Sequence, residues 1–394
     1  MNKLSIENFS INKSNWSKVK FGDVVFEPKE SVKYPVAEGI EHVVGLEHID
    51  SEDIHLRSSA SIDKSTTFTK KFAKGDVLFG RRRAYLKKSA QATFGGICSG
   101  DITVMRVKAN LLPELLPFIV NNEKFFDYAV THSAGGLSPR VKFKDLAKYE
   151  FLLPTKEQQA ELSKLLWAME STIESQKSLL ASLKNYFLSE IERSVPNRFD
   201  NVWVMADVIT TRKGVTYKSS DYSNLENGVP LLSLKSIERG GGFNTDGIKY
   251  YLGECKKTHF VKDDDLIVAC TDITRDGNVV GYPLDPSVYQ GKKMIFTMDL
   301  IAIEVADDSL LRDYLYYVLK ARWVHWFLFA HSPGTTVLHL DISGLKKLKI
   351  PKRSLREQEQ IVTRLRGIES SILSCKKSIE SNHVLQKTII NQVF

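Results

Sequence analysis

The 394-residue sequence lacks several features that mark common classes of protein. Its four cysteines form no Cys-x-x-Cys pair, which argues against zinc ribbons, thioredoxin-like chemistry and a disulfide framework. No window approaches the roughly 18 apolar residues of a membrane-spanning helix, and the segment Met1–Glu7 has no apolar core of a signal peptide. We therefore expect a cytoplasmic protein with reduced, ordinary cysteines.

Motifs of common enzyme classes are also missing. No two of the 12 prolines are adjacent, so the proline-proline-aromatic motif of an exocyclic amino-methyltransferase is absent. The sequence contains no GxxxxGK[ST], HExxH or GxSxG motif. Gly96–Gly100 has the glycines of a nucleophile elbow, but Cys98 stands at its centre and no partner histidine can be assigned. The nine histidines show no i, i+4 pair, so no metal site is expected.

One group of residues leaves an enzymatic alternative open. Asp246 with Glu254 and Lys256 resembles the carboxylates and lysine of a magnesium-dependent nuclease. Acid-x-lysine triplets are common in chains of this length, and a solvated loop of mixed charge is the simpler interpretation. The chain is therefore predicted to be non-catalytic, with the nuclease as a lesser alternative.

Two segments of the sequence match in kind about 200 residues apart. The first contains Pro154 and the pair Glu157-Gln158, and the second contains Pro351 and the pair Glu357-Gln358. Each follows a strand-like run and precedes a long stretch of periodic apolar residues, which indicates an internal repeat. Fainter matches lie upstream: Phe21–Val25 with Met205–Ile209, Gly75–Phe79 with Asp264–Val268, and Thr131–Gly136 with Ala330–Thr335.

The periodic stretches predict two long helices that pair as a coiled coil. Their apolar residues alternate at spacings of four and three over nearly four heptads, with Gln176 the one polar member of the first series. Two unrelated amphipathic surface helices are the alternative, but they would not explain the repeated lead-in. The predicted seam consists of Leu162, Leu166, Met169, Ile173, Leu180 and Leu183 in the first helix and Ile361, Leu365, Ile368, Ile372 and Ile379 in the second.

These patterns predict an α+β protein with a pseudo-two-fold internal repeat. Two similar mixed α/β domains are separated by two long antiparallel coiled-coil helices. We expect a first globular domain at 1–153, a central long helix at 154–195, a second globular domain at 196–350 and a C-terminal long helix at 351–394. Each globular domain is long enough to fold around its own core.

Basic loops are the remaining chemical signal. The formal net charge is +8, and lysines and arginines cluster beside glycines and hydroxyl residues in both halves. Lysine and arginine neutralise DNA phosphates, while arginine, asparagine and glutamine read base edges. Any one of them is more simply a solvated charge, but as a set they favour DNA. The candidates are Arg81, Arg83, Lys88, Arg140, Lys142, Lys213, Lys218, Arg275, Asn278 and Lys293.

The whole pattern resembles the specificity subunit of a type I restriction-modification enzyme. The most specific parts are the two lead-ins, Leu153-Pro154 with Glu157-Gln158 and Ile350-Pro351 with Glu357-Gln358. The segment Trp16–Val24 is similar to the tryptophan and Gly-Asp-Val start of a target-recognition domain. The second domain departs from this start, since Trp203 lies four residues before Asp207 and Ala206 replaces the glycine.

The resemblance implies a subunit of a restriction system that recognises double-stranded DNA without catalysing a reaction. Each globular domain would be a target-recognition domain that reads one half of a bipartite target. The resemblance also implies two modification subunits, which would bind S-adenosylmethionine and methylate adenine, and restriction subunits. The outer faces of the helices, and alternatively the basic loops, would dock the modification subunits.

The length of the helices predicts the distance between the two half-sites. A helix of about 40 residues rises about 60 Å, and duplex DNA advances about 3.4 Å per base pair. We therefore expect a spacer of no more than about 17 base pairs, and about one helical turn if the domains lean inward. A coiled-coil scaffold that binds proteins is the main alternative from another functional class.

Overall fold

A computed structural model describes residues 12–62, 67–223 and 227–394 of the chain. The segment Met1–Glu7, on which the signal-peptide argument rests, lies outside these residues. Contacts divide the chain into a first unit, Met1–Lys177 with Lys377–Phe394, and a second unit, Ser178–Lys376. This division assigns part of each long helix to each unit. Helices and strands are mixed in both, so the predicted α+β class is confirmed.

The first unit contains short strands and four short helices before its long helical segments, within the residues described. Two four-stranded sheets form its body, and a separate antiparallel pair joins its first and last strands. The strands are Ser17–Lys20, Val25–Phe26, His42–Val44, Ala60–Ser61, Lys70–Phe72, Val77–Gly80, Ser89–Gln91, Gly96–Cys98, Ile102–Val107 and Glu150–Leu153. The helices are Phe21–Val24, Leu116–Val120, Glu123–Thr131 and Phe143–Leu146.

The second unit repeats this plan within the described residues. A three-stranded and a four-stranded sheet form its body, and its first and last strands again pair antiparallel. The strands are Val202–Val204, Ile209–Lys213, Tyr222–Ser223, Val229–Leu232, Lys249–Tyr251, Asp265–Ala269, Thr271–Asp272, Ile295–Phe296, Leu300–Val305, Leu338–His339 and Lys349–Pro351. The helices are Met205–Val208, Arg312–Leu319, Arg322–Ala330 and Ile342–Lys347.

Each unit contains a fully buried strand, Val77–Gly80 in the first and Asp265–Ala269 in the second, whose side chains enter two apolar cores. In the second unit the side chains of Leu266 and Val268 belong to one apolar core, and those of Ile267 and Ala269 belong to another. Successive side chains of a strand point to opposite faces, so a continuous apolar run fills two cores. The first-unit strand Val77–Gly80 divides its side chains between two cores in the same way.

The stretches 114–130 and 310–330 are rich in aromatic residues. Each stretch is broken into two helices near its middle. Asn122 adopts an extended backbone conformation and caps the helix Glu123–Thr131, since its side chain accepts a hydrogen bond from the N–H of Lys124. Ala321 is also extended, with ψ of 134°, and directly precedes the helix Arg322–Ala330.

The two long helices are Lys156–Ser194 and Leu355–Val393, each of 39 residues. In the first unit, Glu170 accepts a hydrogen bond from the side chain of Gln386 (2.9 Å). Gln176 donates a hydrogen bond to Ser378 Oγ (2.8 Å) and accepts one from the side-chain amide of Asn382 (3.0 Å). The partners run backward along one helix as the residues run forward along the other, so these segments are antiparallel. Among the described residues, no helix is long and apolar enough to cross a membrane.

Residues of the predicted seam are buried or half-buried, without exception. Several of them also belong to the cores of the globular parts. Leu166 lies in the core of the first unit, with Leu162 and Met169 packed against it. Ile361 and Leu365 lie in the core of the second unit, with Ile368 and Ile372 against it. The periodic apolar residues of the long helices therefore pack against the globular parts as well as between the helices.

A buried glutamine attaches the start of each long helix to its unit. Gln159 accepts a hydrogen bond from the N–H of Leu112 (2.9 Å) and donates to the carbonyls of Asn110 (3.1 Å) and Pro154 (3.0 Å). The second unit contains the same three bonds at Gln358. These bonds join it to Leu311, Ser309 and Arg353.

We call the three bonds of each buried glutamine, Gln159 or Gln358, the glutamine clamp. The two clamps correct the alignment of the two lead-ins. In the sequence Glu157-Gln158 resembles Glu357-Gln358, whereas in the structure the equivalent glutamines are Gln159 and Gln358. Gln158 and Glu357 are then equivalent. Each accepts a hydrogen bond from the N–H of the residue three positions earlier, Thr155 or Ser354. The prolines, Pro154 and Pro351, do not occupy equivalent positions.

Candidate nucleic-acid interface

Two backbone segments of the first unit lie side by side and collect most of its arginines. We call Arg81–Arg83 with Pro139–Val141 the first platform. Arg81 accepts a hydrogen bond from the N–H of Val141 (3.0 Å), and the N–H of Arg83 donates to Pro139 (2.8 Å). The predicted residues Arg81, Arg83 and Arg140 are therefore brought together, and Lys142 follows directly in the chain as an exposed residue.

Asp101 organises the side chains of the first platform. Its carboxylate accepts hydrogen bonds from Arg140 Nε (2.6 Å) and Nη2 (3.2 Å), and Arg82 Nη1 lies 3.5 Å away. The hydrogen bond from Arg140 is the main reason why the pKa of Asp101 is lowered, and the same bond raises the pKa of Arg140. Arg82 also donates to Ser138 Oγ (3.1 Å). The guanidinium groups are thus held in place before any ligand binds.

Lys88, the remaining predicted residue of the first unit, makes its side-chain hydrogen bond outside the first platform. Its ammonium donates to the carbonyl of Leu46 (2.7 Å), and the residue is half-buried. An exposed apolar side chain lies beside the first platform instead. Leu137 is 97% exposed, and its carbonyl accepts a weak hydrogen bond from Arg83 Nη2 (3.4 Å). The exposed Leu137 therefore adjoins Arg83 of the first platform.

The predicted residues of the second unit occupy three places. Arg275 and Asn278 lie in the loop that follows Thr271–Asp272, where the carboxylate of Asp272 accepts hydrogen bonds from the N–H groups of Thr274 (2.7 Å) and Val279 (2.6 Å). Arg275 is exposed, and among the described contacts its side chain has no hydrogen bond or ion pair. The loop is thus rigidly anchored while its arginine remains available.

The other predicted residues of the second unit are lysines. Lys213 and Lys218 are both exposed and lie on either side of the buried Val215, and Lys213 lies near the thiol of Cys270. Burial raises the pKa of that thiol to about 12, and Lys213 opposes this effect only weakly. Lys293 lies apart, with its ammonium 5.2 Å from the ring centroid of Phe260. The structure does not bring Lys293 together with the others.

The geometry supports neither Cys98 as a nucleophile nor Asp246, Glu254 and Lys256 as a nuclease site. Cys98 is fully buried, and burial raises the pKa of its thiol to about 12, so it is not a nucleophile. Asp246, Glu254 and Lys256 are all exposed. Within residues 12–62, 67–223 and 227–394, no group of three or more metal-ligating side chains includes Asp246 or Glu254.

One cluster of possible metal ligands forms that the sequence did not indicate. His55, Glu170 and Glu174 place ligand atoms within 4.8 Å of one another in the first unit. His55 lies far from the two glutamates in sequence, so spacing could not show it. The carboxylate of Glu174 is already bound by Arg57 through two hydrogen bonds (2.8 and 2.9 Å). A cation would have to displace that arginine, so the cluster is more simply an ion-pair network.

His55 makes the first unit sensitive to pH. Its hydrogen bond with Glu170 (3.0 Å) is the main reason why its pKa is raised. Its contribution to stability is therefore complete below a pH of about 6.5, the ordinary value, and is lost as the pH rises through the raised pKa. We expect His55→Gln to lower the free energy of unfolding by about 1–2 kcal/mol at acidic pH.

Urea unfolding of both proteins at pH 5.5 and pH 9 tests this prediction. The difference between His55→Gln and the parent chain should shrink at the higher pH. Other titrating groups are common to the two proteins and cancel in the comparison. An equal difference at both values would show that the charge of His55 does not stabilise the fold.

Comparisons with known proteins find similarity to the second unit. Residues 202–381 match the family model described as type I restriction modification DNA specificity domain. The specificity subunit of the type I restriction enzyme EcoBI from Escherichia coli is 26% identical over 176 residues, which are 45% of this chain and 34% of that protein. The MjaVIII specificity subunit from Methanocaldococcus jannaschii is 29% identical over 148 residues, 36% of this chain and 33% of that protein. The matched regions span about a third of these relatives.

Solved structures are similar over nearly the whole chain. The S subunit of a type I restriction-modification system from M. genitalium covers 98% of this chain and 97% of its own, with a TM-score of 0.58 and 13% identity. A chain from a study of assembly and conformational transition of the type I R-M system covers 96% of this chain and 97% of its own. Its TM-score is 0.61 and its identity 19%. At these identities the structures establish a shared fold.

Proposed function

We propose that the chain is the DNA-recognition subunit of a type I restriction-modification complex. Two findings support this proposal: residues 202–381 match the model of the type I restriction modification DNA specificity domain, and the chain shares the fold of a solved S subunit. Each unit would read one half of a bipartite target in double-stranded DNA. The observation that carries the proposal is the recurrence of one backbone plan in both units, down to the glutamine clamps at Gln159 and Gln358.

The chain itself would catalyse no reaction. Two modification subunits would bind S-adenosylmethionine and transfer its methyl group to adenine, and restriction subunits would complete the complex. Exposed apolar residues on the outer faces of the long helices support docking of the modification subunits. In the central helix these include Leu165, Leu179, Tyr186 and Leu188, and in the C-terminal helix Leu373 and Val384.

The two long helices would set the number of base pairs between the half-sites. Each has 39 residues and rises about 58 Å at roughly 1.5 Å per residue. The polar contacts of Gln176 with Ser378 and Asn382 support a fixed register, because a polar pair within an apolar seam is satisfied in one alignment only. A fixed register gives the spacer a single length.

Salt dependence of duplex binding tests the electrostatic part of the proposal. Each neutralised phosphate contributes a slope of about −0.9 to log K against log salt. We expect a slope of about −4 to −5 for the chain purified with its modification subunits, if about five of the candidate cations contact phosphates. Lys218→Ala should reduce the slope by about one.

Lys148→Ala is the matched control, because Lys148 is an exposed lysine whose nearest partner is its neighbour Asp145 (3.4 Å). It should leave the slope unchanged. Binding that is insensitive to salt would contradict recognition of DNA and favour the protein scaffold. Cleavage of DNA by the chain alone, lost on Glu254→Ala, would favour the nuclease.

A further inference from the structure

The second unit contains the backbone arrangement of the first platform with different side chains. We call Cys270–Asp272 with Leu338–Leu340 the second platform. The N–H of Cys270 donates to the carbonyl of Asp299 (2.9 Å), and its own carbonyl accepts from Leu340 (2.8 Å). Thr271 pairs with His339 in antiparallel register.

Each of these contacts has a counterpart in the first platform. The N–H of Arg81 donates to the carbonyl of Asp101 (3.0 Å), and the Arg81 carbonyl accepts from Val141 (3.0 Å). Arg82 and Arg140 form the corresponding antiparallel bridge. Both platforms therefore place an aspartate at the same position of the same backbone frame.

The side chains at the paired positions differ in charge. Thr271 and His339 stand where the first platform has Arg82 and Arg140. The carboxylate of Asp299 is approached by hydroxyl groups only, from Thr271 (3.3 Å) and Tyr217 (3.4 Å). Among the described contacts it has no cationic partner, whereas the equivalent aspartate of the first unit has two.

The arginines of the first platform retain free donors in fixed positions. A guanidinium group has five N–H donors. Arg140 directs three toward Asp101 and the Ser138 carbonyl, so one remains on each terminal nitrogen. Two adjacent donors match the O6 and N7 acceptors that guanine presents in the major groove. Because Asp101 already fixes the side chain, binding would cost little conformational entropy.

We propose that the two platforms are the base-reading elements of the two units, that Arg82 and Arg140 read guanine in the first half-site, and that the second platform makes no such contact. Asp101 is then a positioning residue, which aims the arginines without touching DNA. The inference deepens the proposed function and rests on it. It also explains how one backbone frame could serve two unrelated half-sites.

Exchange of side chains between the platforms tests the inference. The double variant Arg82→Thr with Arg140→His gives the first platform the side chains of the second. We expect the first half-site to lose its preference for guanine at one or two positions by about 5- to 140-fold, the range for a bidentate base contact. The second half-site should stay unchanged. The motif is read by sequencing methylated adenines in DNA treated with the complete complex.

A reciprocal variant keeps the test informative if the first one fails to fold. His339→Arg adds a guanidinium at an exposed position, from which it can reach Asp299 as Arg140 reaches Asp101. We expect it to add a preference for guanine at one position of the second half-site. Lys18→Ala removes an exposed cation of the first unit and should change neither half-site.

The outcomes separate this inference from the proposed function. The parent complex could methylate a bipartite motif while both platform variants leave both half-sites unchanged. That result would show that the platforms do not read bases, and it would leave the proposed function intact. Failure of the parent complex to methylate any bipartite motif would overturn both. A shift confined to the half-site of the altered platform supports both.

Discussion

Replacing Arg212 with alanine is expected to lower the free energy of unfolding by about 3–5 kcal/mol. Arg212 forms an ion pair with Asp265, whose side chain is fully buried, and also donates to the carbonyls of Thr258 (2.6 Å) and Phe260 (3.1 Å). Removing the arginine leaves a buried carboxylate without its cation and two carbonyls without a donor. Urea unfolding followed by circular dichroism measures the loss.

The pH dependence of this loss has a definite sign. Burial already raises the pKa of Asp265, despite the opposing effect of Arg212, and removal of Arg212 should raise it further. The folded variant then binds a proton more tightly than the unfolded chain, so its stability falls as the pH rises above about 4. We expect the loss in Arg212→Ala to be larger at pH 8 than at pH 5.

Arg239→Ala is the control for this prediction. Arg239 is an exposed arginine of the same unit, and replacement should change stability by no more than about 0.5 kcal/mol. A similar small change for Arg212→Ala would contradict the structural role assigned to the buried pair. A large loss that does not depend on pH would instead point to the carbonyl bonds as its source.

Replacing Gln358 with alanine is expected to cost about 2–4 kcal/mol, since each buried polar group left without a partner costs about 1–3 kcal/mol. The side chain is fully buried and holds Leu311, Ser309 and the backbone before the C-terminal helix together. Gln159→Ala should have a comparable effect in the first unit, where the same three bonds occur.

Gln360→Ala provides the control on the same helix, because Gln360 is exposed two residues further on. Thermal unfolding of the three variants distinguishes the clamp from a general effect of losing glutamine. If Gln358→Ala and Gln360→Ala unfold at the same temperature, the clamp does not contribute to stability. The hydrogen bonds of the two buried glutamines would then recur in both units without stabilising either of them.

The long helices and the repeat could be predicted because they depend on local patterns. The helices expected at 154–195 and 351–394 occur at Lys156–Ser194 and Leu355–Val393. The exact equivalence of the lead-ins could not be predicted. Gln158 and Gln159 look alike in the sequence, and only the backbone groups around Gln159 show that it is the counterpart of Gln358.

The organisation of the candidate interface depends on contacts between distant residues. The arginine run at 81–83 is visible in the sequence, but its pairing with Arg140 and its attachment to Asp101 are not. From this run the sequence predicts Arg81 and Arg83 as candidates, whereas in the structure the side chain that contacts the Asp101 carboxylate is that of Arg82 (3.5 Å). Asp299 and His339 carry no sequence signal at all, because their position is defined only by comparison of the two folded units.

Sequencing of methylated adenines in the native host tests the central claim, that two units read two half-sites at a distance set by the helices. The parent chain is compared with a variant that lacks residues 178–184 and 371–377, one heptad from each helix, which keeps the contacts of Gln176 with Ser378 and Asn382. Seven residues correspond to about 10.5 Å, or about three base pairs. We expect one bipartite motif in the parent and the same half-sites with a spacer about three base pairs shorter in the variant. Altered half-sites with an unchanged spacer would contradict the account.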